Sequence, residues 1–126
     1  MSASRPRHPD QLLELAPVGV HHADPTGTCT WVNDRWSAIT GIPREEACGR
    51  PWVDAVGSAD RDRVLAQWLE TVARGLEFVC DVRVRGSHGR EVEATVRSVP
   101  VHDARGAITG HVAAVTELPD RRHDRM

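Results

Sequence analysis

Tight turns divide this chain into segments that must run antiparallel to their neighbours. Asp24-Pro25-Thr26-Gly27 lies between two short runs rich in β-formers, residues 18–23 and 28–32. Pro suits the second position of a turn and Gly tolerates the positive φ that closes one. Gly86-Ser87-His88-Gly89 and Asp103-Ala104-Arg105-Gly106 separate three longer runs near the end of the chain. Strands joined by turns this short pair as hairpins. Residues 77–85 place Phe78, Cys80, Val82 and Val84 opposite Asp81, Arg83 and Arg85, the period of a half-buried strand. Residues 90–101 alternate Val92, Ala94, Val96 and Ser98 with charged and polar partners, and residues 107–118 are mostly apolar, as a central strand is.

The middle of the chain changes period. Asn33 is a candidate N-cap for a helix carrying Trp36, Ile39 and Thr40, which Gly41 ends. Pro43 opens a second short helix to Ala47, with Glu45 and Glu46 in its first turn. Residues 52–56 are a brief apolar segment. Asp60 is read as the cap of a long helix over 61–74, with Val64, Leu65, Trp68, Leu69 and Val72 on its apolar stripe. The order β-β-α-α-α-β-β-β predicts an α+β fold, a five-stranded antiparallel sheet with helices packed on one face. The 126 residues make one domain, expected over 12–119, after a leader at 1–11 and before a charged tail at 120–126 that holds Arg121, Arg122 and Arg125.

Composition removes several functions. The sixteen basic residues are all Arg, and against eighteen acids the net charge is -2 with the signs interleaved, so no nucleic-acid footprint is expected. No apolar run is long enough to span a membrane or serve as a secretory signal. Cys29, Cys48 and Cys80 lack the spacing of a disulfide or zinc framework and read as reduced thiols of a cytoplasmic protein. Ser37, Ser58, Ser87 and Ser98 have no Gly-x-Ser-x-Gly context, and neither a phosphate loop nor a His-Glu-x-x-His motif occurs. No enzymatic activity is expected. Small cone-shaped isomerases and dehydratases share this length, but they begin with long helices rather than a hairpin.

The landmarks taken together resemble the PAS family. Ala16-Pro17-Val18-Gly19-Val20 resembles its opening, Asp24 to Gly27 its Asp-x-x-Gly turn, and Trp31-Val32-Asn33 with Trp36 its entry to the first helix. Thr40-Gly41, Glu45-Glu46 with Gly49-Arg50, the strand with Phe78, Asp81 and Arg83 before Gly89, and Pro100, Asp103, Gly106 and Gly110 continue the likeness. Trp52 and Trp68 resemble a subgroup with a Trp before the long helix. The resemblance implies a sensory or interaction module of signal transduction that binds a small molecule between sheet and helices or pairs through its sheet. Glu117-Leu118-Pro119 stands where the family often has Asp-Ile-Thr, and Pro119 opposes a continuous outgoing helix. No output segment follows, so the expectation is either an excised domain or a signal passed to a partner.

The expected pocket lies between Trp36, Trp52, Trp68 and the inward side chains Phe78, Val92 and Val112, while Trp31 is a further candidate wall. Core filling is the alternative use of each Trp. Asn33 has two candidate roles, touching a ligand and capping its helix. Val99, Val101, Ala113 and Val115 are expected on the opposite face as the interface of a homodimer. The cofactor stays unassigned. Cys48 precedes Gly49-Arg50, whereas photoactive flavin relatives carry their Cys after Gly-Arg-Asn. The long helix has no His for haem, which leaves His21, His22 or His111 on strands. Alternation sends one of His21 and His22 toward the helices and the other away.

Overall fold

The computed structural model describes residues 17–86 and 89–119. The expected leader and tail, the first residues of the expected domain and the centre of the Gly86–Gly89 turn lie outside the described residues. Five strands form one antiparallel sheet in the order β2-β1-β5-β4-β3: β1 Gly19–Ala23, β2 Cys29–Val32, β3 Phe78–Val84, β4 Val92–His102 and β5 Ile108–Glu117. Between β2 and β3 come α1 Asp34–Thr40, α2 Arg44–Ala47, a 3-10 turn at Trp52–Ala55, and α3 Ser58–Ala73. The segment 52–56, left without a class by its sequence, is this 3-10 turn.

The two Asp-x-x-Gly turns are built alike. The Asp24 carboxylate accepts from the Thr26 and Thr28 amides at 2.9 and 3.0 Å, and the Gly27 amide donates to the Asp24 carbonyl at 3.0 Å. The Asp103 carboxylate accepts from the Arg105 and Ala107 amides at 2.8 and 3.0 Å, and Gly106 closes that turn. Gly27 is required twice over. Its φ is +97°, and a Cβ there would sit 3.0 Å from the ring of Trp68.

Register decides which side chains meet the helices. Ser98 pairs with Ala113 and Val96 with Val115, and all four are buried on the helix side. Val99 pairs with Val112 on the opposite face, beside Val101. Val112 therefore points away from the expected pocket, and Ala113 and Val115 belong to the core rather than to an outer interface. Residues 112–115 are apolar at every position, so they show no alternation. Only the pairing of β5 with β4 sets their parity. Val99 and Val101 do lie outside, 41% and 36% exposed.

The long helix begins earlier than its charge pattern indicates. Gly57 is the residue before it, and Asp60 lies inside the first turn, where its carboxylate meets Arg63 and Arg83, each at 3.6 Å. Val64 and Trp68 are fully buried, Leu65 and Val72 pack at the margin, and Leu69 is 51% exposed, outside the stripe.

Asn33 joins sheet to helix. Its buried side chain accepts from the amides of Val20 and Trp36, both at 2.9 Å, and donates to the Val18 carbonyl at 3.1 Å. The cap role is the one it performs, and no part of it reaches the cavity described below. Asn33→Ala would strand buried amides, each costing about 1–3 kcal/mol. The expected loss is about 3 kcal/mol in urea unfolding, and a loss below 1 kcal/mol would contradict this role.

Candidate functional site

A turn-to-strand contact positions the main wall of the site. The Cys29 amide donates to the Arg50 carbonyl at 2.7 Å, the Gly49 amide to the Cys29 carbonyl at 2.9 Å, and the Trp52 amide to the Gly27 carbonyl at 2.9 Å. These bonds lay residues 49–52 against the start of β2 and drive Trp52 inward. Trp52 stacks on His21 with centroids 5.7 Å apart and meets Trp68 and Phe78 edge-on at 5.9 and 6.2 Å. Trp36 reaches the same cluster from α1. Its indole N–H donates to Nδ1 of buried His21 at 3.1 Å. A second buried histidine, His111, lies edge-on to Trp68 at 5.0 Å, with Nε2 unpartnered among the described residues.

Beside this cluster is a cavity of about 160 Å³. Its inner wall is Cys29, Trp36, Ile42, Ala47, Trp52 and Ala55, and its mouth carries Glu46, Arg50, Asp54, Arg61 and Arg85. Of the expected pocket residues, Trp36 and Trp52 line it. Trp68 and Phe78 pack behind Trp52, and Val92 joins the core margin. Trp31, half-buried, pairs with His22 on the far side of the sheet. The mouth residues carry no periodic signal, and only their convergence from α2, the 49–54 segment, α3 and the end of β3 reveals them.

Electrostatics separate floor from rim. Burial, then the nearby Cys48, pushes the Cys29 thiol up to about 11, so the floor is uncharged at neutral pH. Burial, then His22 and His111, lowers His21 to about 4. Burial likewise lowers His111, against the pull of the Pro25 carbonyl and Asp24. His21 is thus neutral, with Nδ1 as acceptor for Trp36. His22 points outward to the Thr30 hydroxyl.

Neither cofactor considered from sequence fits these residues. No histidine lines the cavity, and His21 is already engaged by Trp36 and Trp52. A haem or a three-ring flavin exceeds a volume suited to one aromatic ring. Pro51 and Trp52 stand where a flavin-reactive thiol would follow Gly49-Arg50. No cluster of three metal-ligating side chains occurs among the described residues, and no helix among them is long and apolar enough to cross a membrane.

Comparisons with known proteins agree with this geometry. The family described as PAS fold matches residues 7–117. The uncharacterized protein y4lL of Sinorhizobium fredii is 28% identical over 115 residues, covering 91% of this chain and 14% of that protein. The signal transduction histidine-protein kinase AtoS of Escherichia coli is 26% identical over 113 residues, covering 90% of this chain and 18% of the kinase. The chain therefore spans less than a fifth of either relative. Among solved structures, an RNA-binding light-oxygen-voltage receptor superposes with a TM-score of 0.86 at 17% identity, covering 98% of this chain and 36% of the receptor. A PAS domain from Colwellia psychrerythraea gives 0.80 at 14% identity, covering 90% of this chain and 97% of that domain. Both are likenesses of fold.

Protonating His21 would remove the acceptor for Trp36 and place a charge in the core. Its folded value lies below the unfolded 6.5, so its contribution is full above pH 6.5 and is lost as pH falls toward about 4. The loss expected across that window is about 3 kcal/mol. Asp24 and Glu77, held low mainly by hydrogen bonds from Thr26 and Arg97, lose their contributions at lower pH. Urea unfolding at pH 7 and 4.5 should show the drop in the native chain. His21→Gln should reduce it, the rest belonging to His111 and to Asp24 and Glu77 at lower pH, and an unchanged slope in that variant would refute the assignment.

Proposed function

Since the chain belongs to the PAS family of signal-transduction sensory domains, we propose that it senses a small molecule held in the cavity beside Trp36 and Trp52. The observation that carries this reading is a partly open cavity whose buried wall includes Trp36 and Trp52 and whose mouth is charged. Ligand pockets pair an apolar wall with polar groups that fix a ligand's orientation, and here those groups are the charged side chains at the mouth. A ligand acts as a signal only if it binds two conformations differently. Here Trp36 connects the cavity to His21 on β1, which pairs directly with central β5. Filling the cavity would move that hydrogen bond and reach the sheet. The output belongs to another domain or a partner, in a cytoplasmic setting, and the domain itself performs no catalysis. Native mass spectrometry of gently purified protein tests the reading. Extra mass that disappears on denaturation is the expected result, while an unliganded mass together with no ligand-induced stabilisation would overturn it.

A second reading rests on the outer sheet face. Val99 and Val101 are exposed there beside partly buried Val112 and Ala114. Apolar side chains on a face that carries no helix among the described residues suit pairing of two copies. Light scattering should report a dimer for the native chain and a monomer for Val99→Asp/Val101→Asp. A dimer retained in the double variant would exclude this face.

A further inference from the structure

Resting on the sensing reading, we infer that the cavity takes a single-ring aromatic anion, its ring beside Trp36 and Trp52 and its carboxylate on Arg85 and Arg50 after Glu46 releases Arg85. Size sets the first limit. A volume near 150 Å³ holds one benzene ring, and this cavity, apolar along its buried wall and open and charged at its mouth, measures about 160 Å³. Its two indoles favour a flat aromatic ring over a branched aliphatic group. The neutral Cys29 thiol offers the ring no charge to pair with.

The mouth sets the second limit. Three guanidinium groups face two carboxylates there. Arg61 is spent structurally, donating to the Val56 carbonyl at 2.9 Å and the Asp54 carbonyl at 3.3 Å, so its charge is fixed in place. Arg50 is exposed and has no carboxylate within ion-pairing distance among the described residues. Arg85 meets Glu46 at 3.6 Å, with both side chains about half exposed. A pair so long and so wet contributes little to stability and is readily exchanged. It joins the end of β3 to α2 at the cavity mouth. A ligand carboxylate offers Arg85 a two-pronged partner in place of Glu46. Asp54 remains the one opposing carboxylate, and the excess of positive charge disfavours a cationic ligand. Exchange of Glu46 for the ligand would also free α2 from β3, linking occupancy to a movable element.

Benzoate, phenyl phosphate and neutral benzamide, titrated into the full chain by calorimetry and Trp fluorescence, test this. Benzoate should bind saturably and about tenfold tighter than benzamide, the difference one charge-assisted hydrogen-bonded contact makes. Arg85→Gln should weaken benzoate about tenfold and leave benzamide unchanged. Glu46→Gln should tighten benzoate severalfold. Circular dichroism of each variant establishes that it is folded, and a misfolded Arg85→Gln leaves Glu46→Gln as the deciding variant. Equal affinity for benzoate and benzamide would overturn the anionic group, and a preference for phenyl phosphate over benzoate would overturn the carboxylate. Failure of all three to bind would overturn the ligand class. A native-mass adduct would then leave the sensing reading standing, whereas an unliganded mass would count against both.

Discussion

The carboxamide of Asn33 is the point at which sheet and helices become one structure. It satisfies two backbone amides and one carbonyl from the β1 region and α1, so neither segment needs water at the junction. This contact holds α1 against β1 and brings the Trp36 indole within hydrogen-bond reach of His21. The His21 ring then supplies the surface on which Trp52 stacks. The cavity wall is therefore the last member of a chain of contacts that starts in a helix cap.

Two buried histidines give this core an unusual constraint. Both lie in an aromatic setting whose burial disfavours their protonated forms, with Asp24 opposing that effect at His111. Burial is the first cause of each lowered pKa; repulsion from His22 adds to both, and repulsion from His111 adds to that of His21. Aromatic surroundings without a polar network penalise protonation of both rings. Acid sensitivity thus originates in a low-dielectric core built around Trp36, Trp52 and Trp68.

Much of the fold was legible because turn chemistry and alternation are local. Asp24 to Gly27 and Asp103 to Gly106 announce their hairpins through a carboxylate that accepts neighbouring amides, and both turns form that way. Phe78, Val82 and Val84 turn inward as their alternation with charged residues requires. Parity failed where alternation was missing: in Val112, Ala113, Ala114 and Val115, hydrophobicity carries no information about face. The start of α3 was misplaced because Asp60 resembles a cap yet pairs with Arg63 and Arg83. Trp36 and Trp52 were recognisable as wall candidates by size alone. Glu46, Arg50, Arg61 and Arg85 were not recognisable as a rim, since they come from separate elements.

The sequence by itself determined the element order, the antiparallel hairpins, the PAS membership and the absence of a flavin-reactive thiol after Gly49-Arg50. Each depends on residues close together in the chain, or on a match that follows chain order. Tertiary structure alone decided which face of β5 meets the helices, which histidine is buried, and which charges gather at the cavity mouth. Those features depend on strand register and on packing between distant segments, and a linear pattern carries neither.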